Sequence, residues 1–230
     1  MKAEVLRKIG HHVQLIAYFT IKGLIVLGFF YALYHNDWVN SAYILGIFLL
    51  TFVPSVVKAA YRIYFPIEFD LLILFFIYAT LFLGEIGDFY RLYWWWDLFM
   101  HGFSAVLLGI FGFILVFILN QEEKIHLGLK PFFIAFFACT FAISIGVFWE
   151  IFEYWMDNSF GLNMQKSGLV DTMEDLMVDV VGAMIIATIG YLWMKKKISF
   201  YVFDVSLRKF VRRNAKAFFP KRDKKSWFSQ

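Results

Sequence analysis

The sequence predicts an all-α fold: a polytopic bundle of six transmembrane helices with both termini cytoplasmic and a basic amphipathic C-terminal tail. Three observations predict it: the composition, six long apolar runs, and the positions of Lys and Arg. Of 230 residues, 61% are hydrophobic, 22% aromatic and only 17% charged. A soluble domain has about 45–50% apolar and about 25% charged residues. The mean hydropathy of +0.66 therefore points to lipid as the solvent. It excludes a disordered chain, and the single cysteine, Cys139, excludes an intramolecular disulfide scaffold.

A bilayer core of about 30 Å needs roughly 20 mostly apolar residues per helix. Six such runs are predicted: Val13–Tyr34, Val39–Val57, Phe69–Gly87, Leu98–Leu119, Pro131–Trp155 and Thr172–Met194. Continuous apolar runs without alternation speak against a barrel. No small-residue cleavage site follows the first run, so it reads as an uncleaved helix. Residues 1–194 are thus expected to form one transmembrane domain, and residues 195–230 a cytoplasmic tail.

Orientation follows from the cytoplasmic preference of Lys and Arg. The N-terminal segment, the loops at 58–68 and 120–130, and the tail together hold nineteen basic residues. The opposite loops hold two, Arg91 and Lys166, and Lys22 lies within the first run. In the tail, Phe203, Leu207, Phe210, Val211 and Phe218 fall near one side. Arg208, Lys209, Arg212, Arg213 and Lys216 fall on the other, a pattern suited to a helix lying on anionic lipid headgroups. A solvated tail that only enforces topology is the simpler alternative. Nucleic acid is not an expected partner, because a tail tethered at the membrane meets headgroups first.

Ten of the eighteen acids cluster at what this topology makes the outer ends of the runs: Glu85 and Asp88; Asp97; Glu150, Glu153 and Asp157; Asp171, Glu174, Asp175 and Asp179. His101 joins them. Residues three or four apart share a helix face, so Asp97 with His101, Glu150 with Glu153 and Asp157, and Asp171 with Asp175 and Asp179 form three stripes. At about 1.5 Å per residue, Asp179 lies about 24 Å from Lys195 and Glu85 about 22 Å from Asp70, inside the slab. A shallow, outward-open pocket is the expectation.

Carboxylates at membrane depth are costly unless they line a cavity, pair with cations or bind metal. Protonation is one way to neutralise them. A divalent cation is another: oxygen ligands suit Mg²⁺, Mn²⁺ or Ca²⁺, and one imidazole admits Zn²⁺ or Fe²⁺. The candidate metal ligands are His101, Glu150, Glu153, Asp171, Asp175 and Asp179, supported by Glu85 and Asp97. His101, Glu150, Glu153, Asp175 and Asp179 are also the candidate catalytic acid/base groups.

Weaker signals have plainer readings. Trp94, Trp95 and Trp96 suit an interfacial belt, with a lid over the pocket as the alternative. Ala105 with Gly109, and Ala183 with Ala187, allow close helix approach. His11, His12, His35 and His126 read as interfacial histidines. Ser104 lacks the partners of a nucleophile, and Cys139 reads as a small hydrophobe.

The run Trp94-Trp95-Trp96-Asp97 with His101, then Trp149-Glu150 with Glu153 and Asp157, then Asn163 with Gln165, and Asp171, Asp175, Asp179 and Gly182, resembles the YjdF-like bacterial inner-membrane proteins. The stretch from Gly84-Glu85 to Tyr90 resembles them too, so the likeness covers about Phe52 to Met194. It is more distantly similar to the VanZ-like superfamily. Where that pattern has Gln three residues after its Glu, this chain has Glu153. The YjdF-like family has no settled activity; the VanZ likeness implies a role at the cell envelope, and both imply the bacterial cytoplasmic membrane.

Three functions remain open on the residues alone. The first is a metal-dependent enzyme acting on lipid or lipid-linked envelope substrates. The second is a structural or partner-binding membrane protein whose carboxylates hydrogen-bond. The third is a cation- or proton-coupled transporter, which the lack of an internal repeat disfavours. Oligomeric state is not legible.

Overall fold

The computed structural model describes residues 2–121, 128–200 and 202–218. Its described residues are overwhelmingly helical and contain no strand. Six stretches are long and apolar enough to cross a membrane: His12–Tyr34, Trp38–Tyr61, Ile67–Ile86, Trp96–Asn120, Pro131–Phe160 and Leu169–Met194. Each overlaps one predicted run. The packing divides the chain into two compact units, Met1–Tyr93 with Arg212–Ala217, and Trp94–Val211 with Phe218–Gln230.

The first unit begins with α1 (Lys2–Tyr34), which packs on α2 (Trp38–Leu50) and α4 (Ile67–Ile77). The second span is not one continuous helix, as its apolar run suggests. It breaks at Thr51, and α3 (Val53–Tyr61) restarts with Pro54 in its first turn. Proline has no N–H to continue the ladder, and Thr51 closes the break by donating its hydroxyl to the Phe48 carbonyl at 2.6 Å. The third span changes pitch: α4 passes into a π-helical segment, Tyr78–Ile86, before the short α5 (Phe89–Leu92). Ile25, Ala32, Ile44, Ile47 and Ile77 form the core of this unit.

The second unit is built on three long helices, α6 (Trp96–Gln121), α7 (Pro131–Phe160) and α8 (Leu169–Met194), each packed on the other two. Lipid offers no hydrophobic force between helices, so association relies on close packing. Small residues supply it. A side chain at Gly182 of α8 would stand 2.7 Å from the Gly102 carbonyl of α6 and 3.1 Å from Ala105. Gly109 faces Ile186 in the same seam, and Gly190 faces the Phe113 ring. The predicted small-residue pair at Ala105 and Gly109 lies in this seam, and Ala183 is fully buried.

Below the seam, Phe113, Phe117, Trp193 and Phe203 form an aromatic group. Asp204 ties the chain after α8 to it. Its Oδ1 accepts from Trp193 Nε1 at 2.8 Å, and its Oδ2 from the Ser199 hydroxyl at 2.6 Å and the Phe200 N–H at 2.9 Å. The tail continues as a π-helical segment, Val202–Leu207, and α9 (Arg208–Phe218). The sequence pattern places the apolar side of this segment in lipid. In the structure Phe203, Leu207, Phe210 and Val211 are buried within the protein, while Arg212 and Arg213 are exposed. The side chains of Arg208, Lys216 and Phe218, and all of residues 219–230, lie outside the described residues, as do the loop residues Lys124 and His126.

Gly182→Val should cost about 1–3 kcal/mol by overpacking the α6–α8 seam, read as a fall of several degrees in the unfolding midpoint of the detergent-solubilised protein. Gly46→Ala, where nothing lies within 4 Å, should leave the midpoint unchanged or raise it.

Candidate metal centre

Each of the three long helices carries a member of the cluster within about one turn of a glycine. On α6, Asp97 and His101 precede Gly102. On α7, Gly146 lies one turn before Glu150. On α8, Gly182 follows Asp179 by three residues. Glycine thus lets the helices pack closely beside the cluster, and side chains from all three meet at one imidazole.

His101 is the hub. Its Nε2 lies 3.7 Å from Glu150 Oε1, 3.9 Å from Asp175 Oδ2 and 4.0 Å from Asp97 Oδ1. Its Nδ1 lies 3.5 Å from Asp179 Oδ2. Glu153 belongs to the same cluster through His101 and Glu150, and its Oε1 accepts from Trp149 Nε1 at 2.9 Å. A side chain at Gly146 would collide with the Asp179 carboxylate, so glycine there makes room for that group.

The cluster is enclosed. His101 and Glu153 are 7% exposed, Glu150 4%, and Asp175 and Asp179 1% each. This corrects the expected shallow, open pocket: three helices drawn together at glycines leave the central carboxylates packed against protein. Four oxygens, Glu150 Oε1 and Oε2, Asp175 Oδ2 and Asp179 Oδ1, are buried with no hydrogen-bond partner among the described residues. Buried polar atoms are normally satisfied, and a buried carboxylate left uncompensated is costly.

The outer edge is held by the turn between α7 and α8. Gly161 and Gly168, both at φ +66°, bracket it in a conformation that favours glycine. Asp157 accepts from the backbone N–H groups of Met164 and Gln165 at 2.7 and 2.8 Å. The Gln165 amide donates to the Thr172 hydroxyl at 2.7 Å. Lys166 places its ammonium 2.6 Å from Asp97 Oδ2. Lys166 therefore neutralises one of the clustered acids, and Arg91 pairs with Asp88 in the first unit.

The structure thus brings together Asp97, His101, Glu150, Glu153, Asp175 and Asp179. Two sets have donor atoms close enough to hold a metal ion: Asp97, His101 and Asp175, and His101, Glu150 and Glu153. Asp171, in the first turn of α8, belongs to neither set, and Glu85 lies in the first unit. Of the tryptophans, Trp96 is buried whereas Trp94 is largely exposed. Ser104 donates to the His101 carbonyl at 2.8 Å, a bond within its own helix. The partners that spacing alone did not reveal are Lys166, Trp149 and Gly146. Gly146 carries a readable signal, a small residue one turn before an intramembrane acid.

Six spanning helices and an enclosed group of acids around one histidine define a multi-pass membrane protein with a buried His/carboxylate cluster. More particularly, the chain belongs to the family described as Predicted membrane protein (DUF2238), whose model matches residues 14–196. That match takes in all three helices of the cluster and ends just after α8. No curated protein and no solved structure matches the chain.

Replacing Asp157 with Ala removes the acceptor for two turn N–H groups and should cost roughly 1–3 kcal/mol of local stability. Amide hydrogen exchange at Met164 and Gln165 should accelerate while that of the mid-helix α7 amides does not change.

Proposed function

We propose that this protein is a metal-dependent membrane enzyme, with a divalent cation held at His101 by Asp97, Glu150 and Asp175 and with Glu153 and Asp179 beside it. The observation that carries this reading is the pair of buried carboxylate oxygens, Glu150 Oε1 and Asp175 Oδ2, that face the imidazole without a hydrogen-bond partner among the described residues, with Asp179 Oδ1 likewise unpartnered beside them. Two or more buried anions at one point need a countercharge, and Lys166 pairs with Asp97 at the rim of the cluster. One imidazole nitrogen with carboxylate oxygens is a donor set for Mg²⁺, Mn²⁺, Ca²⁺ or Zn²⁺. When bound, such an ion supplies Lewis-acid polarisation of a phosphoryl oxygen or activation of water.

The charge distribution supports a membrane with both termini in the cytoplasm and the cluster toward the outer side. The resemblance to YjdF-like and VanZ-like proteins favours the bacterial cytoplasmic membrane and an envelope substrate, a lipid or lipid-linked phosphate. The basic face of α9 is then a surface for anionic headgroups, held without insertion because its apolar side is already buried. Transport is less well supported. Past Asp179 the seam continues as Gly182, Ala183 and Ile186 against Ala105 and Gly109, with no polar path across. A purely structural cluster has one observation in its favour: Lys166 and Trp149 satisfy Asp97 and Glu153 from within the chain.

Elemental analysis of the purified protein separates the readings. The expected result is one ion per chain in the wild type, lost in Glu150→Gln and in Asp175→Asn. No ion in the wild type, even after incubation with each of the four cations, would leave the structural reading standing.

A further inference from the structure

The geometry points to a first-row transition ion at this centre, of the Fe²⁺ or Zn²⁺ kind and not Mg²⁺, Ca²⁺ or Mn²⁺, bound through Nε2 of His101 while Asp179 holds the ring from the Nδ1 side. This rests on the proposed function and narrows its ligand.

Three facts carry it. First, the two ring nitrogens have different surroundings. Nδ1 has Asp179 Oδ2 at 3.5 Å, while Nε2 faces Glu150, Asp175 and Asp97 at 3.7 to 4.0 Å. With an ion at Nε2, the Asp179 carboxylate is placed to accept from Nδ1, the arrangement in which an outer carboxylate orients a ligating histidine. Second, Asp179 is 1% exposed and occupies space that exists because residue 146 is glycine. Its place is thus determined by α7 as well as by its own helix. Third, the donors gathered at Nε2 are one nitrogen and three carboxylates. A neutral imidazole suits Zn²⁺ and Fe²⁺, whereas Mg²⁺, Ca²⁺ and Mn²⁺ favour oxygen ligands. Asp179 is on this view a positioning residue, and Gly146 sets the position of Asp179.

The test uses the full chain in detergent. Binding of Zn²⁺, Mn²⁺, Mg²⁺ and Ca²⁺ is measured by titration for the wild type, His101→Gln, Asp179→Asn and Gly146→Ala. Nitrogen-15 spectra of the zinc-loaded protein report which ring nitrogen of His101 binds, identified by its loss in His101→Gln. The expected result is binding of Zn²⁺ at least about tenfold tighter than Mn²⁺, Mg²⁺ and Ca²⁺, a preference that collapses in His101→Gln. Asp179→Asn and Gly146→Ala should each weaken Zn²⁺ binding about 10–100-fold, without lowering the unfolding midpoint of the metal-free Asp179→Asn protein. Ligation through Nε2 should dominate the wild-type spectrum. Asp179→Asn is nearly isosteric, so it keeps the test decisive if Gly146→Ala does not fold. Equal affinity for all four cations, a preference that survives His101→Gln, ligation through Nδ1, or Zn²⁺ affinity unchanged by Asp179→Asn would overturn the inference and leave the proposed metal site intact. A wild type that binds none of the four would overturn the proposed function itself.

Discussion

Charge compensation at His101 is the constraint on which the second unit depends. Asp97, Glu150, Glu153, Asp175 and Asp179 gather around it, and among the described residues the chain brings positive charge within ion-pair distance at the Lys166 ammonium and, when protonated, at the imidazole itself. Moving a carboxylate from water to a low-dielectric interior costs several kcal/mol even after relaxation. In a helix bundle surrounded by lipid there is little hydrophobic gain to offset that cost. The cluster therefore makes sense only with protons or a cation, and the rest of α6, α7 and α8 must be packed well enough to hold the acids together.

Glycine is what makes such packing possible. Gly102, Gly146 and Gly182 sit beside the acids on the three helices, and a side chain at any of them would meet a neighbour: Val178, the Asp179 carboxylate, or the Gly102 carbonyl. The same feature that brings the backbones together also seats a functional side chain. Farther along, the seam is filled by Ile186, Phe113 and Trp193, so tight apolar packing lies directly beneath the polar cluster. The polar end and the apolar end of the unit are continuous along the same helices.

Much of this was legible before any coordinates. Six runs of about 20 apolar residues are a strong signal because the bilayer dictates their length. Acids at spacings of three and four name the shared faces. That Asp97, His101, Glu150, Glu153, Asp175 and Asp179 meet follows from stripes of this kind, since each must face a partner. Three things were not legible. The break at Thr51 depends on how Pro54 is accommodated, and the run of apolar residues passes over it without a change in hydropathy. The enclosure of the cluster depends on interhelix distance, which sequence spacing does not encode. The tail shows the same limit: Phe203 and Leu207 read as an apolar face, and amphipathicity alone does not say whether protein or lipid covers it.

Enclosure also determines where the cluster can communicate with water. Asp175 and Asp179 are sealed by the helices that carry them, whereas Lys166 is 33% exposed at its side chain and Asp97 15%. Water therefore reaches the cluster first at the Lys166–Asp97 ion pair, on the turn that Asp157 holds. Half-exposed ion pairs are worth little to stability, about 0–1 kcal/mol, so opening this one costs the fold little. The glycine seam below it is much harder to part, because moving it would separate the packed surfaces of α6 and α8. On the proposed reading, an ion exchanging with His101 would therefore meet its lowest barrier from the side of the 161–168 turn, past Lys166.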